Sequence, residues 1–306
     1  MRVGYAIIRF LGPFRVGRTG LMDTLDYVPS DTVYSALENL THMGIDHGID
    51  RVSSMYPMAF TGSGGPVLTV PMPIDLKIQL LDLVSKKYVN DYGKIHSAIK
   101  RIKKLAYIPL DCLYEPNVDV DDDGAVRVRC GGREYRYVGD YGVRVSIQRN
   151  VLGRVLNNAD TYRVAAFQPI VDYVLYFTLR EGVDLGRART ALEILGKVGI
   201  GGERSVGLGH FTVIDAGTID YPRDSGSHAL LLGTALPRRL EVIGCVNPIV
   251  RSWVCSNPFH IMGPISILTD GSVVHKDYLD FETLTGPNCV KRLDPLWVWY
   301  EARYQC

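Results

Sequence analysis

The sequence lacks several features that would assign it directly to a functional class. Its 306 residues contain only six cysteines, and none of them forms a Cys-x-x-Cys pair. Histidines do not cluster at zinc-ligand spacing either, so the sequence predicts no metal site. No segment reaches the roughly 18 apolar residues of a membrane span, and Arg9 interrupts the apolar run that a secretory signal would need. We therefore expect a cytoplasmic protein with reduced thiols and no membrane partner.

An excess of charge of either sign is also missing. Lysine and arginine total 34, aspartate and glutamate total 33, and the formal net charge is +1. This balance excludes a generally basic, histone-like binder, so any surface for nucleic acid must be a local patch. The hydrophobic content of 46% predicts a globular protein with a sizeable core, and the length allows two domains.

Glycine is concentrated in residues 199–209, which we call the glycine loop. Its sequence is Gly-Ile-Gly-Gly-Glu-Arg-Ser-Val-Gly-Leu-Gly. A helix is predicted before it (Leu185–Val198) and a strand after it (Phe211–Ile214). A dinucleotide fingerprint runs in the opposite order, and the Gly-Lys-Ser/Thr ending of a P-loop is missing, so we predict no nucleotide cofactor. Two interpretations stay open: a loop whose exposed backbone N–H groups bind an anion, or a turn that packs closely on a sheet.

The elements around the glycine loop predict two similar halves. The first half opens with a strand (Val3–Phe10), a glycine-bearing loop (residues 12–20, the first loop) and a helix that Ser30 or Asp31 would cap. The second half opens with the strand Val171–Leu179, followed by the helix, the glycine loop and the next strand. Two halves of this kind indicate an α+β fold with two ferredoxin-like, RRM-like βαββαβ domains.

A long β-hairpin is predicted between the halves, because residues 143–154 alternate in polarity and Thr161–Phe167 returns after a turn. Little acid separates its arginines, which favours contact with nucleic acid. These arginines are Arg144, Arg149, Arg154 and Arg163. The predicted division of the chain is an N-terminal ferredoxin-like domain (1–142), the hairpin (143–168) and a C-terminal ferredoxin-like domain with the glycine loop (169–306).

Other segments are less informative. Residues 45–66 are expected to be irregular, and residues 242–265 are expected to be broken by three prolines. A helix is predicted over Lys94–Leu105, and its basic end is interpreted as a solvated face.

Taken together, these segments resemble the RAMP superfamily of CRISPR RNA-binding proteins. The pattern Gly-Ile-Gly-Gly-x-Arg-Ser-x-Gly-x-Gly-x-Phe, placed after a helix, is similar to its glycine-rich signature. Residues 14–17 and the Pro-Ser-Asp-Thr segment (29–32) resemble one group, the fourth Csm subunits of type III-A effector complexes. The hairpin resembles that group's thumb. Arg15 and Val16 depart from the group, which often has histidine and phenylalanine there.

The resemblance implies a non-catalytic RNA-binding subunit without a cofactor. Members of the group bind the 5′ handle of the crRNA in antiviral defence, and they dock on the large polymerase-like signature subunit and on a backbone RAMP subunit. Backbone amides and arginines would hold the phosphates of single-stranded RNA, and hydroxyl groups would add hydrogen bonds. The predicted RNA-binding residues are Arg15, Arg18, Thr19, Ser30, Arg149, Arg154, Gly201, Gly202, Arg204, Ser205 and Gly207.

Three alternatives stay open. A RAMP endoribonuclease that processes repeat RNA would need a general acid or base, most often histidine, and His210 beside the glycine loop is its best candidate. The equivalent subunit of a type III-B complex is the second alternative, although the Pro-Ser-Asp-Thr segment favours type III-A. A nucleotide-dependent enzyme is the third, and the order of elements around the glycine loop argues against it.

Overall fold

A computed structural model describes residues 2–17, 22–58, 60–61, 67–114, 117–120, 126–137, 141–152, 159–221, 224–239, 244–256, 259–286 and 289–303. Within these ranges the chain forms four α-helices, and none of them is long and apolar enough to cross a membrane. The helices are α1 (Ser30–His42), α2 (Ile74–Lys87), α3 (Tyr92–Lys104) and α4 (Leu185–Val198).

Most of the described chain that is not helical forms antiparallel strands. The first half of the chain contains β1 (Arg2–Phe10), β2 (Ile49–Pro57), β3 (Phe60–Thr61), β4 (Thr69–Pro71), β5 (Tyr107–Pro109), β6 (Asn117–Val120), β7 (Val126–Cys130), β8 (Arg133–Tyr137) and β9 (Gly142–Leu152). The second half contains β10 (Ala159–Pro169), β11 (Tyr173–Leu179), β12 (Phe211–Asp220), β13 (His228–Leu231), β14 (Gly244–Cys245), β15 (Pro248–Ser256), β16 (Phe259–Leu268), β17 (Val273–His275), β18 (Thr283–Gly286), β19 (Cys289–Arg292) and β20 (Trp297–Tyr300).

The central sheet has the strand order β12–β1–β11–β2, and all its pairs are antiparallel. Its elements follow the chain as β1–α1–β2 and then β11–α4–β12, which is the βαββαβ order of a ferredoxin-like unit. The predicted α+β fold is thereby confirmed. Because β2 pairs with β11, however, one sheet takes strands from both 1–142 and 169–306. The predicted division of the chain into domains stays a prediction.

Strand β2 lies within residues 45–66, where the sequence pattern predicts irregular structure. Ser53 and Ser54 interrupt the apolar pattern of this strand, and both are buried. The Ser53 hydroxyl accepts a hydrogen bond from the Tyr176 backbone N–H (2.9 Å), and the Ser54 hydroxyl accepts one from the Ser30 N–H (2.9 Å). Buried polar groups are tolerated when they are hydrogen-bonded, and these bonds depend on contacts that sequence pattern does not show.

The two faces of the central sheet belong to different hydrophobic clusters. On β11, Leu175 and Phe177 pack with α1 and α4, whereas Val174 and Tyr176 pack on the opposite side. This alternation is the period-two pattern of a strand that is buried on both faces. The opposite side is covered by α2, α3 and a second sheet with the order β14–β17–β13–β20. Within this unit, the first loop connects β1 to α1 and the glycine loop connects α4 to β12.

Two long hairpins extend from these layers. The predicted hairpin is confirmed as β9–β10, with pairing from Gly142↔Pro169 to Leu152↔Ala159; its turn lies outside the described residues. The second, β15–β16, occupies the segment that prolines were expected to break. Pro248 stands at the first position of β15, where a missing N–H is tolerated. The pairing of β15 with β16 shifts register between Arg251 and Trp253, and the two strands are paired on both sides of this shift.

Four cysteines in the described part of the chain are disulfide-bonded. Cys112 and Cys130 form a disulfide with their Cα atoms 5.2 Å apart, and Cys245 and Cys255 are also disulfide-bonded. The expectation of reduced thiols is therefore wrong. The spacing of 18 residues between the first two gave no signal of a pair, because the fold alone brings β7 beside the residues that follow β5.

Candidate nucleic-acid interface

The glycine loop is joined to the first loop by backbone hydrogen bonds. The Gly202 N–H donates to the Arg15 carbonyl (2.8 Å), and the Gly209 N–H donates to the Pro13 carbonyl (2.9 Å). The two loops, which the sequence separates by almost two hundred residues, thus form one platform beside the ends of β1 and β12.

Close backbone packing explains two of the glycines. Gly201 has a φ of +87°, and a Cβ at this position would lie 2.3 Å from the Arg15 carbonyl oxygen. Gly209 has a φ of +75°, and its Cβ would lie 2.0 Å from the Ile200 carbonyl oxygen. A side chain is excluded at both positions by backbone conformation and by space. The interpretation as a closely packed turn therefore holds for Gly201 and Gly209.

The rest of the glycine loop offers polar groups to solvent. A 3₁₀ turn over Arg204–Val206 leaves Ser205 and Gly207 exposed. The amides of Gly202 and Gly207 already donate within the structure. Among the described residues, no backbone carbonyl accepts from the amides of four loop residues, which gives an anion several donors. These four residues are Gly201, Glu203, Arg204 and Ser205.

A cleft of about 950 Å³ opens beside this platform. It lies between the first loop and the glycine loop, the helix α1 and the hairpin β15–β16, and it includes Lys291 of β19. Among the described residues that line this cleft, every charged side chain is cationic. The four cations are Arg15, Arg204, Arg251 and Lys291. A concave surface with charge of one sign concentrates ligands of the opposite sign, so the cleft favours an anion.

Asp31 fixes the hairpin to the start of α1. This fully buried carboxylate accepts hydrogen bonds from Arg251 Nη1 (2.8 Å) and Trp253 Nε1 (2.6 Å). The Arg251 side chain is itself only 5% exposed, so the pair is a buried salt bridge. Ser30 or Asp31 was expected to cap the helix, but the N-cap residue is Pro29, which makes no side-chain cap hydrogen bond. The partner Arg251 lies 220 residues further along the chain, which is why the sequence favoured the local role.

Helix α1 presents a polar face to the cleft. Thr32, Ser35 and Asn39 line it, and spacings of three and four residues place them on one side of the helix. Lys291 Nζ donates to the Ser35 hydroxyl (2.9 Å). Burial is the main influence on the pKa of Lys291 and lowers it; Asp31 partly offsets this effect, and Arg251 adds to it. The cleft thus holds a partly desolvated ammonium group among hydroxyl and amide groups.

Several predicted RNA-binding residues meet at the cleft. Arg15, Gly201, Gly202 and Arg204 all line it, and Ser205 and Gly207 lie on the adjoining exposed turn. The hairpin β9–β10 also reaches the platform, because Arg149 Nε lies 4.0 Å from Glu203 Oε2. The structure therefore brings the glycine loop, the first loop and one arginine of the thumb-like hairpin into a single region.

Ser30 is placed differently. Its side chain is buried, and its hydroxyl accepts a hydrogen bond from the Thr234 N–H (2.9 Å). This hydroxyl supports the packing of α1 on the second layer and offers no surface to RNA. Three other predicted residues lie outside the described part of the chain: Arg18, Thr19 and Arg154.

Sequence reasoning missed the contribution of β15–β16 and β19. Arg251, Trp253 and Lys291 all line the cleft. The signal present was the alternation of Pro-Ile-Val-Arg-Ser-Trp-Val, which is typical of a strand. The prolines at both ends and inside the segment concealed that alternation.

Comparisons with solved structures support the fold. A chain from the crystal structure of the Csm1–Csm4 cassette in complex with AMPPNP aligns with a TM-score of 0.56 and 15% identity, covering 99% of this chain and 100% of that chain. A chain from the cassette in complex with one ATP aligns with a TM-score of 0.51 and 14% identity, again covering 99% and 100%. No protein-family model matches the sequence, and no curated protein matches it. The likeness confirms the fold that the sequence resemblance predicted.

Proposed function

We propose that this chain is the Csm4-type RAMP subunit of a type III-A CRISPR effector complex and that its cleft binds the 5′ handle of the crRNA without cutting it. The carrying observation is that three separate segments of the sequence resemblance line one cleft. These segments are the first loop, the glycine loop and the Pro-Ser-Asp-Thr helix α1. Three cations of the lining, Arg15, Arg204 and Lys291, would supply positive charge to a polyanion, since the charge of Arg251 is balanced by Asp31.

The cleft contains the groups that single-stranded RNA requires. Arg204 and the loop amides would bind phosphates, since guanidinium groups and backbone N–H groups are strong phosphate donors. Thr32 and Asn39 on α1 would bind 2′-hydroxyls or base edges, which distinguish RNA from DNA and one base from another. Arg149 of the thumb-like hairpin would approach the same strand from the side of Glu203.

The partners follow from the same proposal. The matched structures contain Csm1 together with Csm4, so we propose that this chain docks on a large polymerase-like Csm1-type subunit. The sequence resemblance adds a backbone RAMP subunit as a second partner, and the cytoplasmic location expected from the sequence remains part of the proposal.

Purification of the tagged chain from its native host tests the proposal, with sequencing of any RNA that accompanies it. We expect RNAs with one fixed 5′ sequence and a large polymerase-like protein in stoichiometric amount. RNA with unrelated 5′ ends, or a chain that purifies without RNA, would contradict the handle-binding role.

The non-catalytic part of the proposal has its own test. The His210 carbonyl accepts a hydrogen bond from the Leu11 N–H (2.9 Å), which fixes the backbone next to the glycine loop. Incubation of the purified chain with repeat RNA and a chelator should leave the RNA intact. Cleavage that His210→Ala abolishes would instead show a metal-independent endoribonuclease.

A further inference from the structure

We infer that an extended segment of the large polymerase-like subunit docks on the outer edge of β12. The segment adds a fifth strand to the central sheet and places one apolar side chain in a pocket beside the end of β12. This inference rests on the proposed function and specifies the surface that the protein partner uses. That surface is separate from the RNA cleft, because none of the described residues that line the cleft belongs to β12.

The first observation is that β12 has an unpaired edge. The strand lies at the end of the order β12–β1–β11–β2 and pairs with β1. Among the described residues, no other strand and no loop forms a backbone hydrogen bond with residues 211–220. An edge strand of this kind presents N–H and C=O groups to which another strand can bond. The exposed side chains along it are Thr212, Ile214, Asp215, Thr218 and Asp220.

The opposite edge of the same sheet is closed by the chain itself. On β2, the Ser54 N–H donates to the Leu232 carbonyl (2.8 Å), and the Val52 carbonyl accepts from the Leu296 N–H (2.9 Å). Both partners come from the second layer. The fold thus satisfies the outer edge of β2 with its own distant segments, and the described residues supply no such partner to β12.

The open edge also has little of the usual protection. Edge strands are commonly guarded by lysine, proline or a bulge, and β12 contains neither lysine nor proline. A bulge interrupts its pairing with β1 at Ile214. From Asp215 to Asp220 the pairing with β1 is regular, which leaves about 20 Å of edge for an added strand.

The second observation is an apolar pocket of about 420 Å³ at the end of this edge. Ile219, Asp220 and Tyr221 line it, and no residue of β1 does, which places the pocket beside β12 and away from β1. In strand addition, main-chain hydrogen bonds supply affinity and a pocket for one side chain supplies specificity. The apolar and aromatic side chains of the other walls are Val67, Leu68, Leu110, Tyr114 and Tyr135.

The charges of this surface favour a protein segment over RNA or a second copy of this chain. β12 carries Asp215 and Asp220 and neither lysine nor arginine, and Arg2 of β1 pairs with Asp220 at 3.4 Å. The pocket adds Asp111 and Arg133. Because cations do not predominate here, this surface does not concentrate a polyanion as the cleft does. Two copies joined through β12 would bring carboxylates together from both strands, which is unfavourable.

The test compares hydrogen exchange in the chain alone with exchange in the complex that is purified through its tag from the native host. Peptides that cover residues 215–220 should exchange about tenfold more slowly in the complex, because outward N–H groups of β12 gain acceptors. Peptides that cover β2 are the internal control. They should exchange alike in both samples, since that edge is already bonded in the chain alone.

Photo-crosslinking identifies the occupant of the edge. p-Benzoylphenylalanine in place of Thr218 should crosslink to one segment of the large subunit. The same amino acid in place of Tyr92 of α3, which is 83% exposed, is the control and should not. Val67→Asp places a charge in the pocket and should reduce the recovered large subunit about tenfold. Val89→Asp, at a 62% exposed position outside the pocket, should recover it like the wild type, and circular dichroism checks that both variants are folded.

Unchanged exchange at residues 215–220 in a complex that contains the large subunit would overturn the inference and leave the proposed function intact. A crosslink from position 218 to RNA or to a second copy of this chain would also overturn it. Equal recovery of the large subunit by folded Val67→Asp and Val89→Asp would exclude the pocket from the docking site. A wild-type chain that recovers no large subunit would instead overturn the proposed partner itself.

Discussion

The glycine loop and the Pro-Ser-Asp-Thr segment were assigned to RNA by the same resemblance, yet the structure uses them in different ways. The glycine loop is fixed by its backbone: Gly201 and Gly209 allow close packing, while Arg204 stays at the cleft. The other segment is fixed by its side chains, because Ser30 and Asp31 are buried and hydrogen-bonded. In both segments the closely packed or buried residues hold the backbone in place, and residues next to them line the cleft.

The largest effect is expected from removing the charge of Asp31. Asp31→Asn leaves the Arg251 guanidinium buried without a counter-charge, which costs about 3–5 kcal/mol for a buried pair. Urea unfolding monitored by circular dichroism measures this loss. Asp220→Asn is the control, because Asp220 pairs with Arg2 at 3.4 Å in an exposed setting, and it should change stability little. A loss for Asp31→Asn no larger than for this control would show that the segment is not fixed by side chains.

The next effect separates packing from conformation within the glycine loop. Both Gly201 and Gly207 have positive φ, but only Gly201 lies against backbone, whereas no atom lies within 4 Å of a Cβ at Gly207. Gly207→Ala should therefore cost about 1 kcal/mol from its conformation alone, and Gly201→Ala should cost a further 1–3 kcal/mol from overpacking. Thermal unfolding compares the two variants. Equal losses would argue that the contact with Arg15 is not what requires glycine.

A smaller effect, on binding rather than stability, is expected at Arg204. Arg204→Ala should weaken RNA binding about tenfold and reduce the salt slope by about one, because one fewer phosphate is neutralised. Fluorescence anisotropy over a range of salt concentrations measures both quantities. Arg189→Ala on the outer face of α4, where Arg189 pairs with Glu193 at 2.9 Å, serves as the control. An affinity and a slope that match the wild type would exclude Arg204 from the phosphate site.

The smallest effect is a gain of affinity at Glu203. This carboxylate lies 4.0 Å from Arg149 and carries a negative charge beside the proposed path of the RNA. Glu203→Gln should tighten RNA binding about two- to fivefold at low salt, which is the range expected for removing a partly exposed ion pair. Titrations at low and high salt should show that the gain disappears when charges are screened. Weaker binding would indicate that Glu203 positions Arg149 for contact.

The fold was predictable from local signals where the apolar pattern was strong. The helix over Leu185–Val198 was predicted with its observed bounds, and the β9–β10 hairpin was recognised from its alternation. Strand β2 and helix α2 were missed, since β2 carries buried polar residues and α2 follows directly after two prolines in the sequence. The interleaving of the two halves was not predictable, because it depends on the pairing of β2 with β11.

The candidate site was predictable only in part, because local sequence does not show long-range contacts. Local sequence indicated the glycine loop and the first loop, because unusual backbone conformations require glycine. It gave no indication that Asp31 bonds Arg251, or that Trp253 and Lys291 line the same cleft as Arg204. Those relations are long-range contacts, and the side chains involved are ordinary ones for a helix or a strand.

The central claim is that single-stranded RNA lies in the cleft, and photo-crosslinking of bound repeat-derived RNA containing 4-thiouridine tests it most directly. Mass spectrometry of the crosslinked peptides should identify residues 15–17, the glycine loop and the β15–β16 hairpin. The basic end of α3 is the competing surface, with Lys100, Arg101, Lys103 and Lys104. Crosslinks confined to α3, with none at the cleft, would contradict the account.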